Sequence, residues 1–382
     1  MQQKADLRDS ALYIHIPFCD HKCIYCDFYS IITKDNIEAF LTALKNEMKY
    51  YSEKYSGERI ISSIFFGGGT PSLMKPEYLG EIISSINEYF NVTGNVEITM
   101  ETNPGTVGKE KLKAFKSIGI NRVSVGIQSF HEDELKFLTR IHDKETAIRT
   151  VYNAAEIGFD NISIDLIFNL PKQTREKWLS NLQTAASLPI KHLSAYSLIL
   201  ERGTILNKMV IDGKVIMQDE DYDADLYELT IDFLTANGFL QYEVSNFTKQ
   251  GYECRHNNAY WRYKDYIGLG PSAHSFANGK RWWNFSSLKY YISEIQKNKH
   301  ATASSEDLDR AQMFDEYVML ALRSKGLDTA DFEKRFGDDW IKEKDKYLQK
   351  LQENKFIKYD GNFIRLTKSG YAICDEILAK LL

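Results

Sequence analysis

Residues 13–26 read YIHIPFCDHKCIYC, and this stretch decides how the rest of the chain is interpreted. Its first half is the apolar pattern of a strand that ends at Phe18. Its second half presents thiols at Cys19, Cys23 and Cys26, with the spacing C-x₃-C-x₂-C. Thiolates are ligands for zinc and for iron–sulfur clusters. The stretch therefore predicts a strand followed by a metal-binding loop.

Two kinds of metal site remain open at this point. A structural zinc site takes four protein ligands, so His15 or His21 would have to supply the fourth. Three cysteines instead leave one iron of a four-iron–four-sulfur cluster without a protein ligand. S-adenosylmethionine (SAM) can fill that position through its amino and carboxylate groups, and reduction of its sulfonium then breaks a C–S bond.

The composition bounds the class of protein. The chain has 382 residues, a net charge of −5 and five cysteines. The charge gives no general attraction to nucleic acid or anionic lipid. An odd number of cysteines, three of them crowded together, favours a metal site in a reducing compartment over disulfides. Residues 1–10 are polar, and no apolar run approaches the roughly 18 residues of a membrane span. We expect a cytoplasmic protein.

The first 200 residues alternate strand-like and helix-like patterns, which predicts βαβ units with parallel strands. The predicted strands are Leu12–Ile16, Ile60–Phe66, Val96–Glu101, Arg122–Gln128, Asn161–Ile167 and His192–Leu198. Six units favour an α/β fold with a partial (β/α)₆ barrel, and a doubly wound open sheet is the alternative. We predict a barrel domain in residues 1–237, a connecting segment in 238–306 and a C-terminal domain in 307–382.

The pattern changes after residue 200. We expect a helix at Asp219–Ala236, a strand at Phe239–Val244 and a functional loop at Asn246–Pro271. The last 75 or so residues read as helices around a hairpin with an Asp-Gly turn at Asp360, which resembles a winged-helix module in an α+β domain.

Several polar residues lie at the C-terminal ends of the predicted strands, where the active-site residues of (β/α) barrels are found. Three glycines and a threonine, Gly67 to Thr70, follow the second predicted strand. Glu101 ends the third, Gln128 ends the fourth and Asp165 lies in the fifth. A buried Asp165 is costly unless a partner satisfies it or it caps a loop.

The cysteine spacing and the glycine run resemble the radical SAM superfamily. The motifs YxHxPFC, GGGTPS, DLIxxLP and GPSAH together resemble oxygen-independent coproporphyrinogen III oxidase and its relatives over nearly the whole chain. The resemblance implies a four-iron–four-sulfur cluster on the three cysteines. It also implies SAM contacts from Tyr13, Gly68, Gly69, Thr70, Glu101, Gln128, Arg140 and Asp165. For Arg140, the alternative is an exposed helix arginine.

Two departures separate the chain from the oxidase. Phe28 stands where the oxidase has a further cysteine, and only about ten residues precede Leu12. Oxidase activity is therefore in doubt, and whether the chain is an enzyme stays undecided.

Residues 255–261, RHNNAYW, match the HNxxYW signature of HemW-type heme chaperones. The resemblance implies heme as cargo. His256 would be the axial ligand, since a neutral imidazole binds heme iron well, unless it only hydrogen-bonds within the barrel mouth. The aromatic residues that could stack on heme are Tyr260, Trp261 and Tyr263, and the cations for its propionates are Arg255, Arg262 and Lys264. Cys254 is an alternative iron ligand, although a buried packing role is favoured for it. His274 could line the site, and a loop hydrogen bond explains it at least as well.

The implied partners are heme, a heme-acceptor protein and a one-electron donor such as a flavodoxin or ferredoxin. Contact with membrane-bound acceptors is a further expectation, and nucleic acid is not expected.

Overall fold

Six parallel strands form the centre of the protein, as the computed structural model describes it for residues 7–33 and 35–382. The start of the predicted first domain, residues 1–6, and Lys34 lie outside the described residues. The strands are β1 (Arg8–Ile16), β2 (Arg59–Gly68), β3 (Val92–Thr102), β4 (Arg122–Gln128), β5 (Asn161–Phe168) and β6 (His192–Ser197). They lie side by side in chain order, so each connection returns the chain to the neighbouring parallel strand.

Helices connect these strands, and most of them pack on the hydrophobic core of the sheet. They are α1 (Ile37–Tyr55), α2 (Pro76–Tyr89), α3 (Lys109–Ser117), α4 (Glu132–Phe137), α5 (Lys144–Glu156), α6 (Arg175–Ser187), α7 (Ile205–Ile211) and α8 (Glu220–Ala236). Short 3₁₀ turns lie at Ser56–Glu58 and Pro71–Leu73. Asp143, Thr174 and Asp219 accept backbone hydrogen bonds at the starts of α5, α6 and α8, which satisfies amides that a helix leaves unpaired. The predicted partial (β/α)₆ barrel is confirmed.

The sheet continues beyond the six parallel strands on both sides. The next elements are β7 (Leu240–Gln241), β8 (Asn246–Thr248), α9 (Arg255–Trp261), β9 (Tyr266–Leu269), β10 (His274–Ala277), β11 (Lys280–Asn284), α10 (Leu288–Asn298) and β12 (Thr302–Asp307). The full strand order is β12-β11-β10-β9-β1-β2-β3-β4-β5-β6-β8-β7. β9 pairs in parallel with β1, so the first barrel strand is not at an edge.

Two predictions in this region are wrong. The strand expected at Phe239–Val244 is limited to β7, because the chain bends before it pairs again at β8. The loop expected at Asn246–Pro271 contains β8, α9 and β9, so the HNxxYW motif is helical.

The C-terminal residues form a second hydrophobic core. Their elements are α11 (Arg310–Leu322), β13 (Leu327–Asp328), α12 (Thr329–Phe336), α13 (Asp339–Glu353), β14 (Ile357–Asp360), β15 (Phe363–Leu366), α14 (Lys368–Ala372) and α15 (Cys374–Leu381). The hairpin of β14 and β15 turns at Gly361, whose φ of 59° suits glycine, and β13 adds a third strand. Phe332, Leu348 and Ile364 are buried at the centre of this core. In the described ranges, no helix is long and apolar enough to cross a membrane.

Candidate functional site

The cysteine loop follows β1 and is fixed at both ends. The Cys19 amide donates to the Ile31 carbonyl at 2.9 Å, and the Ile31 amide donates to the Pro17 carbonyl at 2.8 Å. Between these anchors, the Cys26 amide donates to the Cys23 carbonyl at 3.2 Å. All three thiols are partly exposed and line a first cavity of about 460 Å³ at the C-terminal ends of the barrel strands.

The donor set of this loop fits a cluster better than a single ion. In the part of the chain that the structure describes, no three His, Cys, Asp or Glu side chains converge to hold one metal ion. A four-iron cube places each thiolate on a different iron, so its ligands need not converge. His15 offers no ligand here, because its ring nitrogens pair with the Tyr13 hydroxyl and the Tyr29 carbonyl. Burial raises the pKa of Cys26 to about 11, so a bound cation is needed to hold its thiolate.

The glycine run brings backbone close to the cysteine loop. Gly69 has no room for a side chain, because a Cβ there would lie 2.6 Å from the Phe18 carbonyl oxygen. Gly68 has a φ of 109°, and its amide donates to Glu101 Oε2 at 3.1 Å. The Thr70 hydroxyl lies 3.3 Å from Cys19 Sγ. The run therefore joins the loop to the wall of the first cavity.

Two acids lie within the same cavity. Burial, with the charge of Asp165 adding to it, raises the pKa of Glu101 to about 8. Burial also raises the pKa of Asp165, which accepts from the Ser124 hydroxyl at 3.2 Å and is partly compensated by Arg122. Asp165 therefore lies inside the cavity and not at a loop that it caps. A ligand with positive charge and hydroxyl donors suits this pair, and SAM has both.

Arg140 points into the cavity from the turn after α4. Its Nη2 donates to the Asn103 side chain at 2.7 Å and to the Gly126 carbonyl at 2.6 Å, and Nη1 lies 3.6 Å from Cys23 Sγ. The alternative of an exposed helix arginine is wrong. The guanidinium places positive charge beside the Cys23 sulfur.

Nearly all residues predicted to contact SAM come together around this cavity. Those that line it are Gly68, Gly69, Thr70, Glu101, Gln128, Arg140 and Asp165, with the three cysteines. Tyr13 does not line it. Its hydroxyl bonds His15 Nδ1 at 3.1 Å, and its ring faces a second cavity.

The sequence interpretation missed several lining residues, namely Tyr25, Asn103, Arg122, Ser124, His192, Tyr196 and Asn257. Arg122 is buried at the start of β4, whose sequence RVSVGIQ carries valine or isoleucine at alternate positions. An arginine in a strand with both faces covered is a signal that could have pointed to the cavity. Tyr25 lies between two of the cysteines and pairs with Arg140.

The second cavity, of about 650 Å³, lies between the barrel and α11. Its wall is largely aromatic and includes Tyr260, Tyr263 and Phe276. Phe28, 61% exposed, lines both cavities, as does its neighbour Asp27.

His256 is buried behind this wall. Its Nδ1 bonds the Ser63 hydroxyl at 3.2 Å, its Nε2 bonds the Tyr260 hydroxyl at 2.8 Å, and its ring stacks on Phe65. Burial lowers the pKa of His256 to about 3, so the ring is neutral.

Only some of the other residues expected near heme line the second cavity. Tyr263, Lys264 and His274 line the second cavity, whereas Trp261, Arg255 and Arg262 are absent from the described lining of both cavities. Cys254 is buried and lies against the Glu97 carboxylate.

Comparisons with known proteins agree with this geometry. Residues 13–185 match the family model of the radical SAM superfamily, and residues 308–373 match that of the HemN C-terminal domain. The solved structure of coproporphyrinogen III oxidase (HemN) from Escherichia coli, a radical SAM enzyme, has a TM-score of 0.83 at 25% identity and covers 99% of this chain and 91% of that one. Fold and site thus define a radical SAM protein.

The curated relatives narrow this class. Heme chaperone HemW of Bacillus subtilis (strain 168) is 34% identical over 97% of this chain and 98% of that protein. Heme chaperone HemW of Lactococcus lactis is 32% identical over 98% of both proteins, and that of Escherichia coli (strain K12) is 38% identical over 71% of both. The chain belongs to the HemW heme chaperone family.

Proposed function

We propose that this chain is a heme chaperone, which binds heme and passes it to acceptor proteins from a radical SAM core. The observation that carries the proposal is the similarity to HemW heme chaperones over almost the full length of both proteins. This similarity includes the C-terminal region as well as the barrel. The second cavity adds space beside the HNxxYW helix.

The barrel would hold the cluster and SAM in the first cavity. Cys19, Cys23 and Cys26 would ligate three irons, and SAM would complete the fourth. The cluster, when bound, supplies an electron to the sulfonium of SAM. Arg140 would place its positive charge beside the Cys23 ligand.

The remaining residues of this cavity would orient SAM. Gly68, Gly69 and Thr70 bring backbone and a hydroxyl to its methionine end. Glu101 and Asp165 face its positive charge and ribose hydroxyls, and Gln128 adds an amide. A cationic ligand would lower the pKa of Glu101, because it favours the ionised carboxylate.

His256 would act in heme binding through Tyr260, whose ring lines the second cavity. Loss of the imidazole removes the hydrogen bond that holds the Tyr260 hydroxyl. Direct ligation of iron by His256 would require Tyr260 to give up this bond, and it stays a prediction.

The oxidase is the competing function, and the solved HemN structure favours it on fold. Against it, Phe28 replaces the oxidase's further cysteine. The phenyl ring can neither ligate iron nor carry a proton, so Phe28 cannot take over the chemistry of a thiol at this position.

One pair of anaerobic measurements tests the proposal. The cluster-loaded protein is titrated with heme and, separately, assayed for SAM-dependent decarboxylation of coproporphyrinogen III. We expect heme binding, weaker binding by His256→Ala and no protoporphyrinogen. The control is His300→Ala, which should bind heme like wild type, because His300 stacks on Tyr50 and is absent from the described lining of both cavities. Formation of protoporphyrinogen would assign the oxidase activity instead, and failure of the wild-type protein to bind heme would reject the chaperone.

The partners follow from this chemistry. We propose that a flavodoxin or ferredoxin is the one-electron donor. We also propose that the heme acceptors include membrane-bound hemoproteins and that the protein acts in the cytoplasm.

A further inference from the structure

His274 is the histidine of the second cavity whose ring is accessible. It begins β10 within the Gly-Pro-Ser-Ala-His stretch, and its ring stacks on Trp283 with centroids 5.7 Å apart. Its side chain is exposed and lines the cavity. Within residues 7–33 and 35–382, neither ring nitrogen makes a hydrogen bond. The lone pair of a neutral imidazole is therefore available to a ligand.

The electrostatic surroundings keep this ring neutral. Partial burial and the nearby positive charge of Arg281 both lower the pKa of His274. The imidazolium form has no lone pair for a metal, so a lowered pKa favours ligation. His256 contrasts with it, since both of its ring nitrogens are already hydrogen-bonded.

The shape of the cavity suits a flat aromatic ligand. Its volume of about 650 Å³ falls within the range of roughly 300–1,000 Å³ that small-molecule and cofactor sites occupy. Apolar rings on its wall come from Phe28, Tyr260, Tyr263, Tyr266 and Phe276. Aromatic side chains gain from burial against another ring system in offset or edge-on arrangements.

The cations on the wall are already paired. Arg281 bonds Glu306 at 3.0 Å and Glu316 at 2.7 Å, and Lys264 pairs with Asp9. Negatively charged propionates would therefore either compete with these carboxylates or extend to solvent at the mouth of the cavity. Recognition in this cavity rests on the ring and its metal more than on the propionates.

We propose that the second cavity is the heme site and that His274 provides the axial imidazole to the iron, with His256 as a positioning residue for Tyr260. This inference rests on the proposed chaperone function. It goes beyond that function because it assigns the ligand to a residue outside the HNxxYW motif.

Four cluster-loaded proteins test the assignment: wild type, His274→Ala, His256→Ala and the control His300→Ala. Each is titrated anaerobically with ferric heme, and the absorption and electron paramagnetic resonance spectra report imidazole ligation. We expect His274→Ala to lose the imidazole-ligated signal and to bind heme at least tenfold more weakly. Free imidazole in the buffer should restore the signal. His256→Ala should bind heme more weakly but keep the signal.

A second variant tests the cavity without touching a histidine. Met319 lines the cavity from α11, and Met319→Trp would fill part of the space. We expect weaker heme binding with unchanged iron and sulfide content. Binding equal to that of the wild-type protein would overturn the cavity assignment.

The outcomes separate this inference from the proposed function. If wild type binds no heme, the chaperone function fails and the ligand assignment with it. If wild type binds heme and His274→Ala keeps the imidazole signal, only the assignment to His274 fails. Loss of that signal in His256→Ala alone would identify His256 as the ligand.

Discussion

Replacing Glu101 by glutamine tests the charge balance of the first cavity. The pKa of Glu101 is raised by burial and by Asp165 to about 8, from an ordinary value of 4.5. A carboxyl whose folded-state pKa is raised stabilises the fold fully below pH 4.5, and this stability is lost as the pH rises through 8. At pH 7, about 2.5 pH units above the ordinary pKa, this carboxyl is ionised in the unfolded state but still largely protonated in the folded state.

At about 1.4 kcal/mol per unit, this difference costs the folded protein roughly 3 kcal/mol at pH 7. Glutamine cannot ionise, but it keeps an oxygen to accept the Gly68 amide hydrogen bond. We therefore expect Glu101→Gln to be more stable than wild type by about 2–3 kcal/mol at pH 7–8, after a deduction of about 1 kcal/mol for the weaker hydrogen bond.

The assay is thermal unfolding of the cluster-loaded, SAM-free protein between pH 5 and pH 8. The unfolding midpoint of Glu101→Gln should rise above that of wild type by several degrees at pH 8 and approach it at pH 5. Exposed Glu88→Gln is the matched control and should follow wild type throughout. Midpoints of Glu101→Gln and wild type that move in parallel over this pH range would refute the argument. The same variant should bind SAM at least tenfold more weakly, because the carboxylate is lost.

Three further changes probe the packing and charge of the fold. Gly69→Ala should lower the free energy of unfolding by about 2 kcal/mol and weaken SAM binding, because the added Cβ would meet the Phe18 carbonyl. Calorimetry checks this, with Gly94→Ala as the control because the space around Gly94 is open. Arg140→Gln should reduce the iron and sulfide retained after reconstitution, measured by metal analysis, whereas retention equal to wild type would contradict its role. Glu47→Ala should lower the free energy of unfolding, measured with denaturant, by about 3 kcal/mol, because the carboxylate accepts three buried hydrogen bonds. A decrease below about 1 kcal/mol would show that these donors find other partners.

The barrel could be predicted from sequence because its strands carry a local signal. The central parallel strands are rich in β-branched and other large apolar residues, with valine or isoleucine at alternate positions of Arg122–Gln128 and isoleucine, leucine and phenylalanine in Asn161–Phe168. The cysteine spacing and the strand-end polar residues are equally local. Most of the first cavity follows from them, because parallel strands bring their C-terminal ends to one side of the sheet.

The HNxxYW helix could not be predicted in this way. Its segment is rich in Asn and Gly, which favours a loop. The helix begins where the buried Glu97 carboxylate of β3 accepts the amides of Arg255 at 3.0 Å and His256 at 3.4 Å. This cap lies about 160 residues away in the chain, so no pattern within the segment reveals it.

The position of Tyr13 depends on another distant pairing. Alternation along β1 turns Tyr13 and His15 toward the same side, but it does not say which cavity they face. β9 pairs with β1, and the aromatic residues that follow α9 enclose the space beside Tyr13. The second cavity therefore exists because β9 pairs with β1, and this pairing cannot be predicted from the sequence of β1.

The two cavities differ in how rigidly they are bounded. The first is lined by the C-terminal ends of consecutive strands of one hydrogen-bonded sheet and by the cysteine loop, which backbone hydrogen bonds fix at both ends. The second takes one wall from the barrel and the other from Glu316, Met319 and Leu320 of α11, which packs with the C-terminal core. A slight rotation of one core against the other would widen this slot while every backbone pair of the barrel stays intact. If heme is bound there as proposed, such a small domain movement would release it at far lower cost than unfolding.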